Sequence, residues 1–129
     1  MTKKNEIYKI RKKEIQDSRI KETRNFIHSK SFSSLMNNYK WYQIFEFIEK
    51  NQTEFELKTL LSPEIKKANS IIELEKSSIL IDNTGEFFEF LELEQITLKN
   101  TLELKSKLYK MNINFYEDLD KIKIKGYSY

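Results

Sequence analysis

Cysteine is absent from the 129 residues, histidine and proline occur once each, and glycine occurs twice. Without Cys there is no disulfide framework, no thiolate nucleophile and no Cys-bearing zinc, haem or iron–sulfur site, and a lone His excludes metal sites that need two imidazoles. Gly85 and Gly126 stand far apart. A phosphate-cradling loop needs several close glycines whose N–H groups converge on an anion, so dinucleotide and P-loop NTPase chemistry falls away as well. Long apolar runs are also missing. No stretch approaches the roughly 18–20 apolar residues of a membrane span, and the opening MTKKNEIYKIRKK lacks the apolar segment of a signal peptide. The expectation is a cytoplasmic protein without membrane attachment. With so little catalytic chemistry, a binding role is expected, with no enzyme activity and no cofactor.

Aromatic side chains and charge are what the chain does have. Nine Phe, seven Tyr and one Trp each bring on the order of 150–250 Å² of buried area, enough to build a core in a chain whose length suits one domain. The formal net charge of +3 hides a segregation. Residues 1–30 carry ten Lys/Arg against four Asp/Glu, the stretch from Trp41 to Glu103 carries 13 acids against six bases, and the end from Leu104 carries six lysines against three acids. A basic head thus precedes an acidic middle and a mildly basic end.

Hydrophobic spacing divides the chain into a basic N-terminal helix within residues 1–30 and an α+β domain over residues 31–129. Lys4 to His28 is rich in helix formers, with Asp17 and Lys21 paired at i,i+4, but Ile7, Ile10, Ile15, Ile20, Phe26 and Ile27 draw no clean stripe. This helix is expected to dock by a narrow face or to extend from the body. After the link SKSFSSLMNN, Trp41, Ile44, Phe45 and Ile48 fall at i, i+3, i+4 and i+7, with Asn38 as N-cap and Asn51 near the exit. Glu54 to Leu61 alternates as a half-buried strand, and Ser62-Pro63-Glu64 opens a short helical turn through about Ala68. Ile71 to Leu98 is mainly β: Ser78 to Asp82 and Glu86 to Leu93 form a hairpin around Asn83-Thr84-Gly85, with a bulge near Phe90-Leu91 that reconciles the parities of Phe88 and Phe90 with those of Leu91 and Leu93. Asn100 to Met111 is a helix with Asn100 as N-cap, Glu103 completing a capping box, and Leu104, Leu108 and Met111 inward. A last strand sets Ile122, Ile124 and Gly126 against Lys121, Lys123, Lys125, Tyr127 and Tyr129. The order predicts an α+β fold, an antiparallel sheet of about four to five strands packed on helices.

Four groups of residues could carry function. His28 sits at a helix end among basic neighbours with no nucleophile or carboxylate beside it in sequence, a placement that also suits a cation at a helix C-terminus. Glu117, Asp118 and Asp120 cluster before the last strand, yet lack the ligand spacing and central Gly of a calcium loop and read better as a turn; no metal site is expected. The basic head, with the Lys121/Lys123/Lys125 row and its tyrosines, is the nucleic-acid candidate, although Glu6, Glu14, Asp17 and Glu22 interrupt the head. The acidic strand is the protein-binding candidate. With the bulge in place, Phe87, Glu89, Glu92 and Glu94 turn outward, an aromatic ringed by carboxylates that either anchors a basic protein partner or pairs with the lysine row across the sheet.

MNNYKW (Met36 to Trp41), FLEL (Phe90 to Leu93) and KIKGY (Lys123 to Tyr127) resemble a family of small bacterial proteins classed as a domain of unknown function. Its members open on Met-Asn-Asn-x-Lys-Trp, carry a central Leu-Glu-Ile-like strand followed by a helix, and close on Ile-x-Gly-Tyr. The resemblance spans Met36 to Tyr127, leaves the basic head as an addition, and has Leu93 where Ile is usual. It assigns no activity, because the family has none established. In size, charge and style the chain is also similar to immunity proteins of bacterial toxin systems. The resulting expectation is a cytoplasmic binding protein that neutralises a protein partner, a basic toxin domain blocked by an immunity protein. The alternative is a nucleic-acid-binding accessory protein using the basic head.

Overall fold

A computed structural model describes residues 2–68, 79–81, 83–84 and 86–128, with the backbone alone for 2–13, 79–81 and 87. Helix α1 (Thr2–Lys30) leads into a two-residue strand β1 (Ser33–Ser34) and helix α2 (Asn38–Lys50). Strands β2 (Phe55–Thr59), β3 (Lys66–Ala68), β4 (Ile79–Ile81) and β5 (Phe87–Glu89) follow, then a 3₁₀ turn (Phe90–Glu92) and strand β6 (Leu93–Lys99). Helix α3 (Leu102–Lys110) precedes β7 (Tyr116–Asp118), β8 (Lys121–Lys125) and β9 (Tyr127–Ser128). The fold is α+β. An antiparallel five-stranded sheet in the order β3-β2-β6-β8-β7 is flanked by the pairs β1-β9 and β4-β5.

Register follows from the alternating apolar residues. Phe55 and Leu57 of β2 lie opposite Leu98 and Ile96 of β6, which in turn face Ile122 and Ile124 of β8. All six side chains are buried and meet Ile44, Phe45 and Ile48 of α2 and Leu104 and Leu108 of α3. Each such burial contributes about 1.5–3 kcal/mol, and a one-residue slip would turn the whole set to solvent, so the core itself fixes the pairing. The opposite face of the sheet carries Glu56, Lys58, Gln95, Thr97 and the lysines of β8.

Several local expectations are corrected. Asn37, not Asn38, caps α2, its side chain accepting from the Lys40 N–H at 2.8 Å, and Thr101 rather than Asn100 caps α3, accepting from the Leu104 N–H at 3.2 Å. The segment after Pro63 is not helical. Ser62 Oγ accepts from the Glu64 N–H at 3.2 Å, and the chain then extends into β3, because Ala68 fills the place opposite Phe55 and the Lys66 ammonium lies over the Phe88 ring. The anticipated bulge is a 3₁₀ turn that splits the return strand between two sheets. Gly85 of the expected hairpin loop, the strand residues 71–78 and Asp82, the Phe87 side chain and Tyr129 lie outside the described residues.

With only two glycines in the chain, other residues end the helices. Ser31, Gln52 and Asn112 follow α1, α2 and α3 with φ of 55°, 50° and 55°. In each case the next N–H, of Phe32, Thr53 or Ile113, donates to a carbonyl five residues back at 3.0–3.2 Å, the hydrogen bond of a Schellman stop. A side chain in this region costs about 1–2 kcal/mol that glycine avoids. Gln52→Gly is therefore expected to stabilise the fold by about 1 kcal/mol, read as a rise in the urea midpoint with unchanged slope; a lower midpoint would refute it.

Candidate protein-binding site

Helix α1 docks through the few residues its poor stripe allowed. Ile20 and Thr23 are buried, and Thr23 Oγ1 donates back to the Arg19 carbonyl at 2.9 Å. Arg19 is the centre of the contact. Its Nε bonds Glu92 Oε1, its Nη2 bonds Glu92 Oε2 at 3.2 Å, its Nη1 bonds Glu86 Oε1 at 3.2 Å, and its guanidinium carbon lies 5.0 Å from the Phe88 ring centre. Glu92 Oε2 also accepts from the Glu89 N–H at 2.8 Å, which closes the 3₁₀ turn.

The acidic strand is thereby redistributed. Glu92 is not on an outer face: it is 1% exposed and belongs to the docking of α1. Glu94 is half-buried and paired with Lys58 at 3.1 Å. Glu89 is the acid of this set that stays at the surface and forms no salt bridge among the described residues. Burial, and after it the neighbouring Glu92 carboxylate, push its pKa up, while Arg24 and Arg19 pull it back. Across the sheet, Lys121 pairs with Glu56 at 3.9 Å and Lys123 with Asp118 at 3.3 Å, and the Lys125 ammonium lies 5.4 Å from the Tyr116 ring centre.

Glu89 borders a hollow of about 400 Å³ between α1 and the body. Its wall includes Arg24, Phe32, Trp41, Phe90 and Tyr127, with Trp41, Phe90 and Tyr127 buried and Phe32 half-exposed at the side. The Phe32 and Tyr127 rings are 6.5 Å apart. Tyr127 is a correction to the expected Lys/Tyr face: the chain bends at Gly126, so the ring turns inward and its hydroxyl donates to the Leu91 carbonyl at 2.7 Å. Burial pushes that phenol's pKa up. Here the three segments singled out in the sequence meet, because Met36 and Trp41, Phe90 and Leu91, and Gly126 and Tyr127 all line this hollow. Their separation along the chain hid the convergence. The signal that could have shown it was the aromatic or glycine residue each contributes.

Comparison with protein-family models, curated proteins and solved structures gave no significant match.

The remaining candidates take their places around this site. His28 is exposed on the rim of an adjoining hollow shared with Arg24, Ile27, Phe32 and Leu91. Glu117 bonds Lys105, whose hydrogen bond lowers its pKa, and Asp118 pairs with Lys123. Among the described residues no group of three or more His, Asp or Glu side chains is arranged to hold a metal. No described helix is long and apolar enough to cross a membrane.

Proposed function

We propose that this chain is a cytoplasmic protein that binds and neutralises a basic protein partner, as an immunity protein blocks a bacterial toxin domain. The observation that carries this reading is Glu89: a partly desolvated carboxylate without a salt bridge, at the mouth of a hollow with an aromatic floor. Its side chain faces the Glu92 N–H in the capping box of the 3₁₀ turn, but burial still penalises its charge, and a Lys or Arg side chain from a partner would offset that penalty while its stem covers Phe32. In this reading the contact centres on Glu89, with its strand neighbour Phe87 and, after the 3₁₀ turn, Glu94 at the margin, where Glu94 keeps its pairing with Lys58.

The test starts from the adjacent upstream gene: this reading expects it to encode a large protein with a basic C-terminal domain, and that domain is then co-expressed with, and titrated against, this chain. Glu89→Lys is expected to abolish protection and weaken binding by about 30-fold or more, with the fold unchanged by circular dichroism. Undiminished binding would overturn the assignment of this surface. A cation at Glu89 favours its ionised form, so wild-type binding should tighten as pH rises through the Glu89 titration and level off above it; Glu89→Gln should remove that dependence. A salt-sensitive complex with DNA or RNA, lost on deleting residues 1–28, would instead favour the nucleic-acid alternative.

A further inference from the structure

We propose that the hollow beside Glu89 is a binding site for a small zwitterion, an α-amino acid with an aromatic side chain, whose ammonium meets Glu89 and whose carboxylate meets Arg24. Both charged residues border this hollow. Glu89 forms no salt bridge among the described residues, and Arg24, exposed on α1, makes neither a hydrogen bond nor a salt bridge among them. Burial and Glu92 raise the Glu89 pKa, and Arg24 is close enough to draw it back, yet the two side chains do not close on each other. Two opposite charges thus stand at one hollow without pairing.

Size and lining favour a single small molecule. A volume of about 400 Å³ falls near the lower end of the roughly 300–1,000 Å³ of small-molecule sites, whose walls are mostly apolar with a few polar groups that set orientation. Trp41, Phe90 and Tyr127 close the floor and are buried, so the apolar surface within reach belongs to Ile27, Phe32 and Leu91, all half-buried. The same three residues, with Arg24, also border the adjoining hollow that carries His28. They form a strip along which an aromatic ring lies while its charged head stays at Glu89 and Arg24. Of the other polar side chains in the wall, Asn38 is exposed and Ser34 Oγ already donates to the Met36 carbonyl at 2.6 Å.

The charges select the class. A ligand with one charge satisfies one of the two residues, whereas an α-amino acid carries an ammonium and a carboxylate on the same carbon and satisfies both. The Glu92 N–H in the capping box holds the Glu89 carboxylate in place, and the Arg24 guanidinium takes a carboxylate through two parallel hydrogen bonds. Bound there, the ligand occupies the carboxylate that the proposed protein partner needs, so the two compete for Glu89. The site itself does not depend on that partner.

Titration of the full chain with L-phenylalanine, phenethylamine and 3-phenylpropanoate, followed by NMR at Glu89, Arg24 and Phe32, tests this. Phenylalanine is expected to bind, and the two singly charged analogues to bind about tenfold or more weakly. Glu89→Gln, which keeps an acceptor for the Glu92 N–H, should weaken phenylalanine and phenethylamine about tenfold without weakening 3-phenylpropanoate. Arg24→Gln should weaken phenylalanine and 3-phenylpropanoate by a similar factor without weakening phenethylamine. Phenethylamine bound as tightly as phenylalanine, and indifferent to Arg24→Gln, would overturn the zwitterion site while leaving a cation at Glu89, so this proposal and the partner reading fail separately. No perturbation of these residues at millimolar phenylalanine would overturn it as well.

Discussion

Arg19→Ala is expected to destabilise the protein by about 3–5 kcal/mol, with a fall in Tm on the order of 10 °C or more. The reason is the buried carboxylate left behind. Glu92 receives two guanidinium hydrogen bonds from Arg19 and one from the Glu89 backbone, and it is 1% exposed, so water cannot replace the arginine without opening the turn. Arg19→Lys should recover little, since an ammonium cannot span both oxygens and Glu86 together. The decisive control is the double variant Arg19→Met/Glu92→Met. Removing both charges eliminates the desolvation cost, so the pair should regain most of the lost stability, with strong non-additivity in the cycle. A single-variant loss below about 1 kcal/mol would show that α1 is held by Ile20 and Thr23 instead.

Gly126→Ala should be nearly as damaging, at roughly 2–4 kcal/mol. A Cβ at this position would stand 2.3 Å from the Leu93 carbonyl oxygen and 3.3 Å from the Trp41 ring. The backbone has no freedom to withdraw. The Gly126 N–H donates to the Glu94 carbonyl at 2.8 Å, and its own carbonyl accepts from the Leu35 N–H at 2.8 Å. Relief of the clash would break one of these bonds, and the second ties β9 to β1. Denaturant unfolding should show a lower midpoint, and amide exchange should show the loss of protection beginning at Leu35 and Gly126. Unaltered protection there would refute the account.

The parts of the fold legible in the sequence were those governed by a short period. Trp41, Ile44, Phe45 and Ile48 repeat at the helical interval, and the alternation in β2 and β8 matches a sheet buried on one face, so the local pattern and the tertiary contacts agree. Where a contact from elsewhere decides the conformation, the local pattern misleads. Pro63 favours a helical start, but the place beside Phe55 draws Ala68 into a strand. Glu92 has outward parity in a strand, yet Arg19, 73 residues earlier, pulls its carboxylate inside and turns the strand as it does so. The candidate site suffered in proportion: of its three glutamates, one became part of the core, one acquired a lysine, and Glu89 remained. The hollow beside it depends on three distant segments, which no window along the chain could show.

The clasp between Arg19 and Glu92 also leads to an expected order of assembly. Its halves are made far apart in synthesis, and the acceptor exists only once β5 and β6 have been joined by the 3₁₀ turn. Helix α1 precedes the sheet along the chain, yet its contact joins residues 73 apart, so its docking is expected in the late, non-local phase of folding, after the sheet has formed. A fluorescent reporter on α1 should lag behind the burial of Trp41.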